Sequence, residues 1–384
     1  MSDFMVSIPL TSSGQRTPPA GLTCATHPQA DIQAVNPLSP NGSARSHTLK
    51  MGWSAWLRSF ITRGGGECMN NGAPRQGQQP LRAVARIIDE WSYDIAQKWF
   101  AFFGGDTKLA AICLFTELAN TEYILADAAL AARYRKCFVP PADCRPVPLA
   151  SIAQALNLDA ETVRRKIVEL KGRGLAVTDD RGVIINMDYL ADNALRDEYE
   201  NLSVRLNTLI ADLDRLIINN GYDAAPLADL AAALAIDHTV IDAYSNLVAI
   251  LIGKYMSRTL VEGSLIFGAD RDSAAVYFTI YVENKRQITH DPVLSKAYAW
   301  LDSPTPREER RPVSGNFIAR RVGLPPETVR RKINRMIAMG IIERTTRGLL
   351  VIPMPGVMNM HAMRSYHQII ALLKSVQLIA AHAA

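Results

Sequence analysis

The seven residues Glu161-Thr162-Val163-Arg164-Arg165-Lys166-Ile167 recur unchanged as Glu327-Thr328-Val329-Arg330-Arg331-Lys332-Ile333. Three adjacent cations in so short a run are chemistry for anions. A guanidinium offers two parallel donors to a phosphate or to the acceptor edge of guanine, while an ammonium meets phosphate as a point charge. Asn334, Arg335, Arg344 and Arg347 follow the second run. An asparagine amide can pair with adenine, and an arginine on a turn can reach a phosphate or the minor groove. Residues 302–348 hold eleven Lys and Arg against five Asp and Glu, a local net of +6; residues 138–182 hold seven against six. The candidate contacts are Thr162, Arg164, Arg165, Lys166 and Arg181 around the first run. Around the second they are Thr328, Arg330, Arg331, Lys332, Asn334, Arg335, Arg344 and Arg347. Glu161 and Glu327 suit the positive end of a helix dipole, or a cytosine amine as the alternative.

Those side chains need a helix to carry them. Val329, Ile333 and Met336 recur at i, i+4 and i+7, the stripe of an amphipathic helix running from Glu327 to Met339. With Val329 as origin, Arg331 falls near ~200° and Asn334 near ~140°, away from the buried side, and Arg330 and Lys332 lie on the flanks. Gly340 supplies a left-handed C-terminal stop. Upstream, a short helix over 313–322 ends in the turn Gly323-Leu324-Pro325-Pro326. Downstream, Ile341–Thr345 and Leu349–Ile352 read as two strands joined by Thr346-Arg347-Gly348. The first copy has the same order, with strands at Leu175–Thr178 and Val183–Ile185.

The repeat extends well beyond the seven residues. A shift of 164 carries Phe103-Gly104-Gly105-Asp106 onto Phe267-Gly268-Ala269-Asp270, Asn120 onto Asn284 and Asp127 onto Asp291. After a two-residue insertion the shift is 166, and Arg145-Pro146-Val147 meets Arg311-Pro312-Val313. A period this long marks a duplicated domain rather than a solenoid. Each copy ends in an amphipathic helix: Leu195, Tyr199, Leu202, Leu206, Leu209, Leu213 and Leu216 form one stripe, and Met363, Tyr366, Ile370, Leu373 and Val376 a weaker one.

The stretch from Ile318 to Arg331 resembles the helix-turn-helix of bacterial winged-helix transcriptional regulators of the MarR, IclR and GntR kind. The resemblance covers the helix-turn-helix and hairpin of each copy, not the whole chain. It implies a mainly α fold with two winged helix-turn-helix units, each a three-helix core plus a β-hairpin wing, packed together by the long amphipathic helices. It implies a sequence-specific transcriptional regulator whose partner is double-stranded DNA, with recognition helices entering major grooves ~34 Å apart. The long helices would pair within the chain as an intramolecular pseudo-dimer, or between chains as a homodimer. Two alternatives stand beside this: a plasmid-type replication initiator, which also carries two winged helices, and a winged-helix scaffold that binds proteins.

The rest of the sequence narrows the field. The chain has 384 residues, a formal charge of +5 and 48% hydrophobic residues, enough for about two domains. The expected layout is an arm over 1–80, disordered or weakly structured; a first unit over 81–218; a linker over 219–239; and a second unit over 240–384. Within the arm, Leu49–Ile61 has helical spacing, and Met51 and Met69 offer alternative starts. No apolar run of membrane-spanning length and no signal peptide are expected, and five cysteines without a C-x-x-C point to a reduced, cytoplasmic chain. The histidines show no metal spacing, and Gly64-Gly65-Gly66 lacks the Lys-Ser/Thr of a phosphate loop. No enzyme activity, metal or cofactor is expected.

Overall fold

The computed structural model describes residues 79–187, 195–219, 222 and 227–383. The arm over 1–78, with its Leu49–Ile61 helix, lies outside them. Among the described residues the protein is mainly helical, with two short antiparallel strand pairs. The first half runs α1 (Leu81–Phe102), α2 (Thr107–Thr121) with a 3-10 turn over Glu122–Ala126, α3 (Ala128–Arg133), α4 (Leu149–Leu156) and α5 (Ala160–Gly172). The hairpin of β1 (Ala176–Thr178) and β2 (Val183–Ile185) follows, then α6 (Leu195–Asn219). Two short helices, α7 (Ala228–Leu234) and α8 (His238–Ala243), lead into the second half. That half runs α9 (Ser245–Leu265), α10 (Arg271–His290), α11 (Pro292–Ala297), α12 (Gly315–Val322) and α13 (Pro326–Ala338). It ends with β3 (Ile342–Thr345), β4 (Gly348–Val351) and α14 (Pro355–Ala383).

Equivalent residues make equivalent local bonds. Asp106 caps α2 by accepting from the Leu109 amide, and Asp270 caps α10 through the Ser273 amide. Asp127 and Asp291 do the same for α3 and α11, each accepting from two backbone N–H groups. Such caps satisfy donors that the first helical turn leaves open.

The core is shared between the halves. α1 packs on α6, α14 and α10, while α9 packs on α14, α6 and α2, the reciprocal set. At the crossing, Trp91 of α1 and Tyr255 of α9, which are 164 apart, bring their ring centroids within 5.6 Å, and the Tyr255 hydroxyl lies 3.2 Å from Ser92 Oγ. Across the seam Arg86 donates to the Tyr298 carbonyl (2.7 Å), and Asn246 donates to the Tyr134 carbonyl (2.8 Å). One contiguous apolar cluster contains Val84 and Ile88 of α1, Leu206 and Leu213 of α6, Val248 of α9 and Leu373 of α14.

Two expectations change here. The stretch 219–239 contains α7, whose Leu230 and Ala233 are fully buried against α6 and α14, with Gln377 donating to the Ala232 carbonyl. The apolar residues Leu227, Leu230 and Leu234 make residues 227–234 part of the body, within the stretch where a linker was expected. Thr107–Ala126 is also long and apolar enough to cross a membrane, and 67% of it is buried inside the protein as the helix on which α4, α5 and β2 pack.

That buried helix carries one acidic side chain inward. Burial pushes the Glu117 carboxyl up to about 7, against the pull of hydrogen bonds with Tyr199 and Thr121. Its Oε2 has no partner. An acid raised in the folded state is neutral there, so its stabilising share is complete below the unfolded value of ~4.3. That share drains away as pH rises toward 7 and is gone above it. Glu117→Gln should therefore match the wild type near pH 4 and exceed its unfolding free energy by up to ~3 kcal/mol at pH 8. Urea titrations of both proteins at a series of pH values would check this, and a constant gap across the range would contradict it.

Candidate nucleic-acid interface

Local sequence builds the two cation-bearing helices in the same way. Ser314 caps α12 by accepting from the Phe317 amide (3.2 Å), and α12 buries Ile318, Ala319 and Val322. Gly323, at φ +74°, closes it in the left-handed region, and Pro326 opens α13. α13 buries Val329, Ile333 and Met336, the three positions its spacing selects. In the first half Asn157 takes the left-handed position at φ +49°, and Asp159 caps α5 through the Thr162 amide (2.7 Å).

The hairpin is clamped to the helix beneath it. Ile342 pairs with Val351 in the β3–β4 ladder, and Val313 adds a bridge to Leu349. Asn284 of α10 donates to the carbonyls of Arg311 (2.7 Å) and Leu349 (3.1 Å) and accepts from the Val351 amide (2.8 Å). Asn120 of α2 makes the matching set with Arg145 (2.6 Å), Val183 (3.0 Å) and Ile185 (2.9 Å). At Gly348, φ is +143° and a Cβ would lie 2.8 Å from the Val313 carbonyl oxygen, so the turn after Arg347 sits closer to its neighbour than any side chain permits.

Arg165 and Arg331 are both exposed, and neither is in an ion pair among the described residues. Arg165 leans toward Thr162 Oγ1 at 3.5 Å. Arg335, Arg344 and Arg347 are exposed on the same helix and hairpin, with Arg335 also paired to Asp270 at 3.7 Å and Arg344 donating to Asn334 Oδ1 at 3.3 Å. That bond ties helix to hairpin and leaves the exposed Asn334 with an outward NH2 to offer. Arg164 and Arg330 pair with Glu161 (2.8 Å) and Glu327 (2.6 Å) on their own helices. Hydrogen bonds from these arginines hold both carboxyls below their usual range. Thr162 is buried at its helix start and Thr328 half-buried. Arg181 folds onto Asp179 (2.8 Å).

Three cations stand elsewhere than expected. Lys332 Nζ sits 2.5 Å from Asp270, with the lysine side chain only 16% exposed, and Lys166 pairs with Asp106 and Glu169. Burial pushes the Asp270 carboxyl up, but Lys332 and Ser273 outweigh it and leave it below the usual range. Flank positions on the helical wheel placed both lysines toward phosphates; the helix N-termini of α2 and α10 pass close enough to claim them. Arg310, counted with the surface charge, is buried and donates to the carbonyls of Thr305, Pro306 and Val351. The Asp–Lys pairs were readable only as repeated polar positions, since each Asp and each Lys recurs in both copies.

The helix pairs α4–α5 and α12–α13 also touch the opposite half. A Cβ on Gly105, before α2, would lie 2.1 Å from the Gly323 carbonyl oxygen in the α12–α13 turn. Reciprocally, Arg271 at the start of α10 donates to the Leu156 carbonyl at the end of α4. The first half's outer face is the more apolar: Val168 is 62% exposed where the second half has Asn334, and Val177 on the hairpin is 42% exposed.

Removing the clamp takes a partner from three backbone groups, of which the Leu349 carbonyl keeps the Val313 amide, so Asn284→Ala should lower stability by ~1–3 kcal/mol. Hydrogen exchange at the Val351 amide should accelerate more than that of α14, and an unchanged Val351 rate would contradict the clamp. No protein-family model matches the chain, and neither does any curated protein or solved structure.

Proposed function

We propose that the chain is a sequence-specific regulator of transcription that binds double-stranded DNA through two winged helix-turn-helix units, products of an internal duplication joined as a pseudo-dimer. The observation that carries this is the outward arginine set. Arg331, Arg344 and Arg347 are exposed on one helix and its hairpin and outside any ion pair among the described residues, with Arg335 beside them held by Asp270, and Arg165 is exposed at the position equivalent to Arg331. The reciprocal packing of α1 and α9, with Trp91 against Tyr255, supports a pseudo-twofold relation between the units.

On this reading α13 enters a major groove, and Arg331 addresses a guanine edge. Asn334, steadied by Arg344, offers its amide to a neighbouring base. Arg347 on the wing meets a phosphate or the minor groove, and Arg320 adds to the field from the preceding helix. Arg330 and Arg164 exchange their exposed glutamates for phosphates. Lys166 and Lys332 position the helices from behind. The second unit supplies most of the affinity, because the first offers Arg165 beside a valine and keeps Glu169 between Lys166 and Arg173.

A second reading is favoured by Val168 and Val177. Exposed valines suit a thymine methyl group, and they also suit a protein surface, as in a winged-helix scaffold. A replication initiator would differ in its target, iterated origin repeats in place of a promoter.

Fluorescence anisotropy on fragments selected from genomic DNA separates these. Arg331→Ala should weaken specific binding by ~1–3 kcal/mol, about five- to 150-fold, and Arg165→Ala by clearly less. Arg347→Ala should reduce the slope of log affinity against log salt by about one if it meets a phosphate. Equal losses for Arg331 and Arg165 would remove the asymmetry, and no binding to any fragment would turn the assignment toward the scaffold.

A further inference from the structure

The ion pairs that fasten α1 and α9 to their neighbours occupy equivalent places with opposite signs. Glu90 of α1 meets Arg286 of α10 at 3.0 Å. Lys254 of α9 meets Glu122, in the turn after α2, at 3.4 Å. The shift of 164 lays Glu90 on Lys254 and Glu122 on Arg286, so position is kept and charge is inverted on both sides. Asp94, 3.5 Å from Arg286, falls on Arg258. A second set repeats the pattern: Lys98 meets Glu198 of α6 at 3.3 Å, and Glu262 meets Arg364 of α14 at 3.4 Å. The shifts of 164 and 166 carry Lys98 onto Glu262 and Glu198 onto Arg364.

An exposed ion pair contributes little to stability by itself. Its sign matters more for what the same surface rejects. Two first halves placed together in this geometry would set Glu90 and Asp94 against Glu122; two second halves would set Lys254 and Arg258 against Arg286. Glu90 has a side chain only 13% exposed, so water does little to soften that repulsion. The second set lies within each half, α1 on α6 and α9 on α14, so pairing like with like leaves it unchanged.

We infer that the inverted charges of the first set are a recognition code by which each half accepts the other and repels its own kind, closing the interface to like-with-like pairing between chains. The inference rests on the equivalence of the two units and is independent of DNA binding. It accounts for how a duplicated chain, whose halves began alike, avoids linking through identical faces into dimers or longer assemblies.

The exposed pair Lys254–Glu122 gives the test in the full chain. Lys254→Glu and Glu122→Lys each put like charges together and should lower the unfolding midpoint by roughly 1–3 °C, and the double exchange should restore it. The exchanged chain has regained its internal pair, yet each half now carries both signs needed to pair with its own kind. Refolded from denaturant at high concentration, it should show concentration-dependent dimers by sedimentation velocity, where the wild type sediments as a monomer. An exchanged chain as monomeric as the wild type would overturn the inference, as would single variants with unchanged midpoints. A failure to bind DNA would strike only the regulator assignment and leave both readouts as they are.

Discussion

Two carboxylates, Asp106 and Asp270, decide where the cation-bearing helices stand. Each caps the helix that follows it and grips a lysine from its own unit's second helix, Lys166 of α5 or Lys332 of α13. The next layer of contacts reaches the other unit: Gly105 abuts the turn at Gly323, and Arg271 donates to Leu156. A shift of α13 would thus disturb a helix cap, a partly buried ion pair and a contact with the opposite half at once. An ion pair with Lys332 only 16% exposed is costlier to break than an open surface pair, because removing one partner leaves the other charge poorly solvated. The two outer faces are held in one fixed relation by groups that are themselves largely withdrawn from solvent.

This arrangement divides the cations by task. Along residues 302–348, Lys332 and Arg310 are structural, Arg307 is matched to Glu343 (2.7 Å), and Arg330 is held by Glu327. Arg331, Arg344, Arg347 and Arg320 are exposed and outside any ion pair among the described residues. The outward field comes from this smaller set, and it is concentrated on one helix-and-hairpin face. Over residues 138–182 the acids Glu169 and Asp179 consume Lys166, Arg173 and Arg181, which leaves Arg165 with little support.

Local structure was legible in the sequence because its causes are local. The stripe Val329, Ile333, Met336, the stop at Gly340 and the hairpin around Gly348 each follow from residues within one or two turns of chain. What escaped was set by distant partners. Lys332 and Asp270 are 62 positions apart, and a helical wheel records a flank without recording what packs on it. Arg310 counted as surface charge because the strand β4, whose Val351 carbonyl it meets 41 positions away, closes over a guanidinium that already turns back onto the Thr305 and Pro306 carbonyls. Leu227, Leu230 and Leu234 read as linker because a seven-residue helix has too short a pattern to announce burial, and α6 and α14 supply the surface that gives it one. The repeat itself held a further signal: a polar residue kept in both copies marked a bond kept in both, as with Asn120 and Asn284.

On the proposed reading two units are joined in one chain, and this changes what each is free to become. A homodimer made from one kind of unit must present identical faces, so any substitution appears on both sides of the axis and the target must be symmetric. In a fused pair the faces are separate sequences. Val168 can stand where Asn334 stands, and Glu90 where Lys254 stands, without either change being copied onto the opposite side. On the proposed reading, the first freedom permits two unequal half-sites, and the second keeps the unequal faces from being exchanged for equal ones. The interior pays for neither: Asn120 and Asn284, Asp106 and Asp270, Lys166 and Lys332 all keep their residue types. The divergences at Val168/Asn334 and Glu90/Lys254 lie where a partner is met, and the identities of Asn120/Asn284 and Asp106/Asp270 lie where each unit holds its own framework, while the exposed Arg165 and Arg331 keep their type as well. That is the partition expected when one framework has to carry two different surfaces.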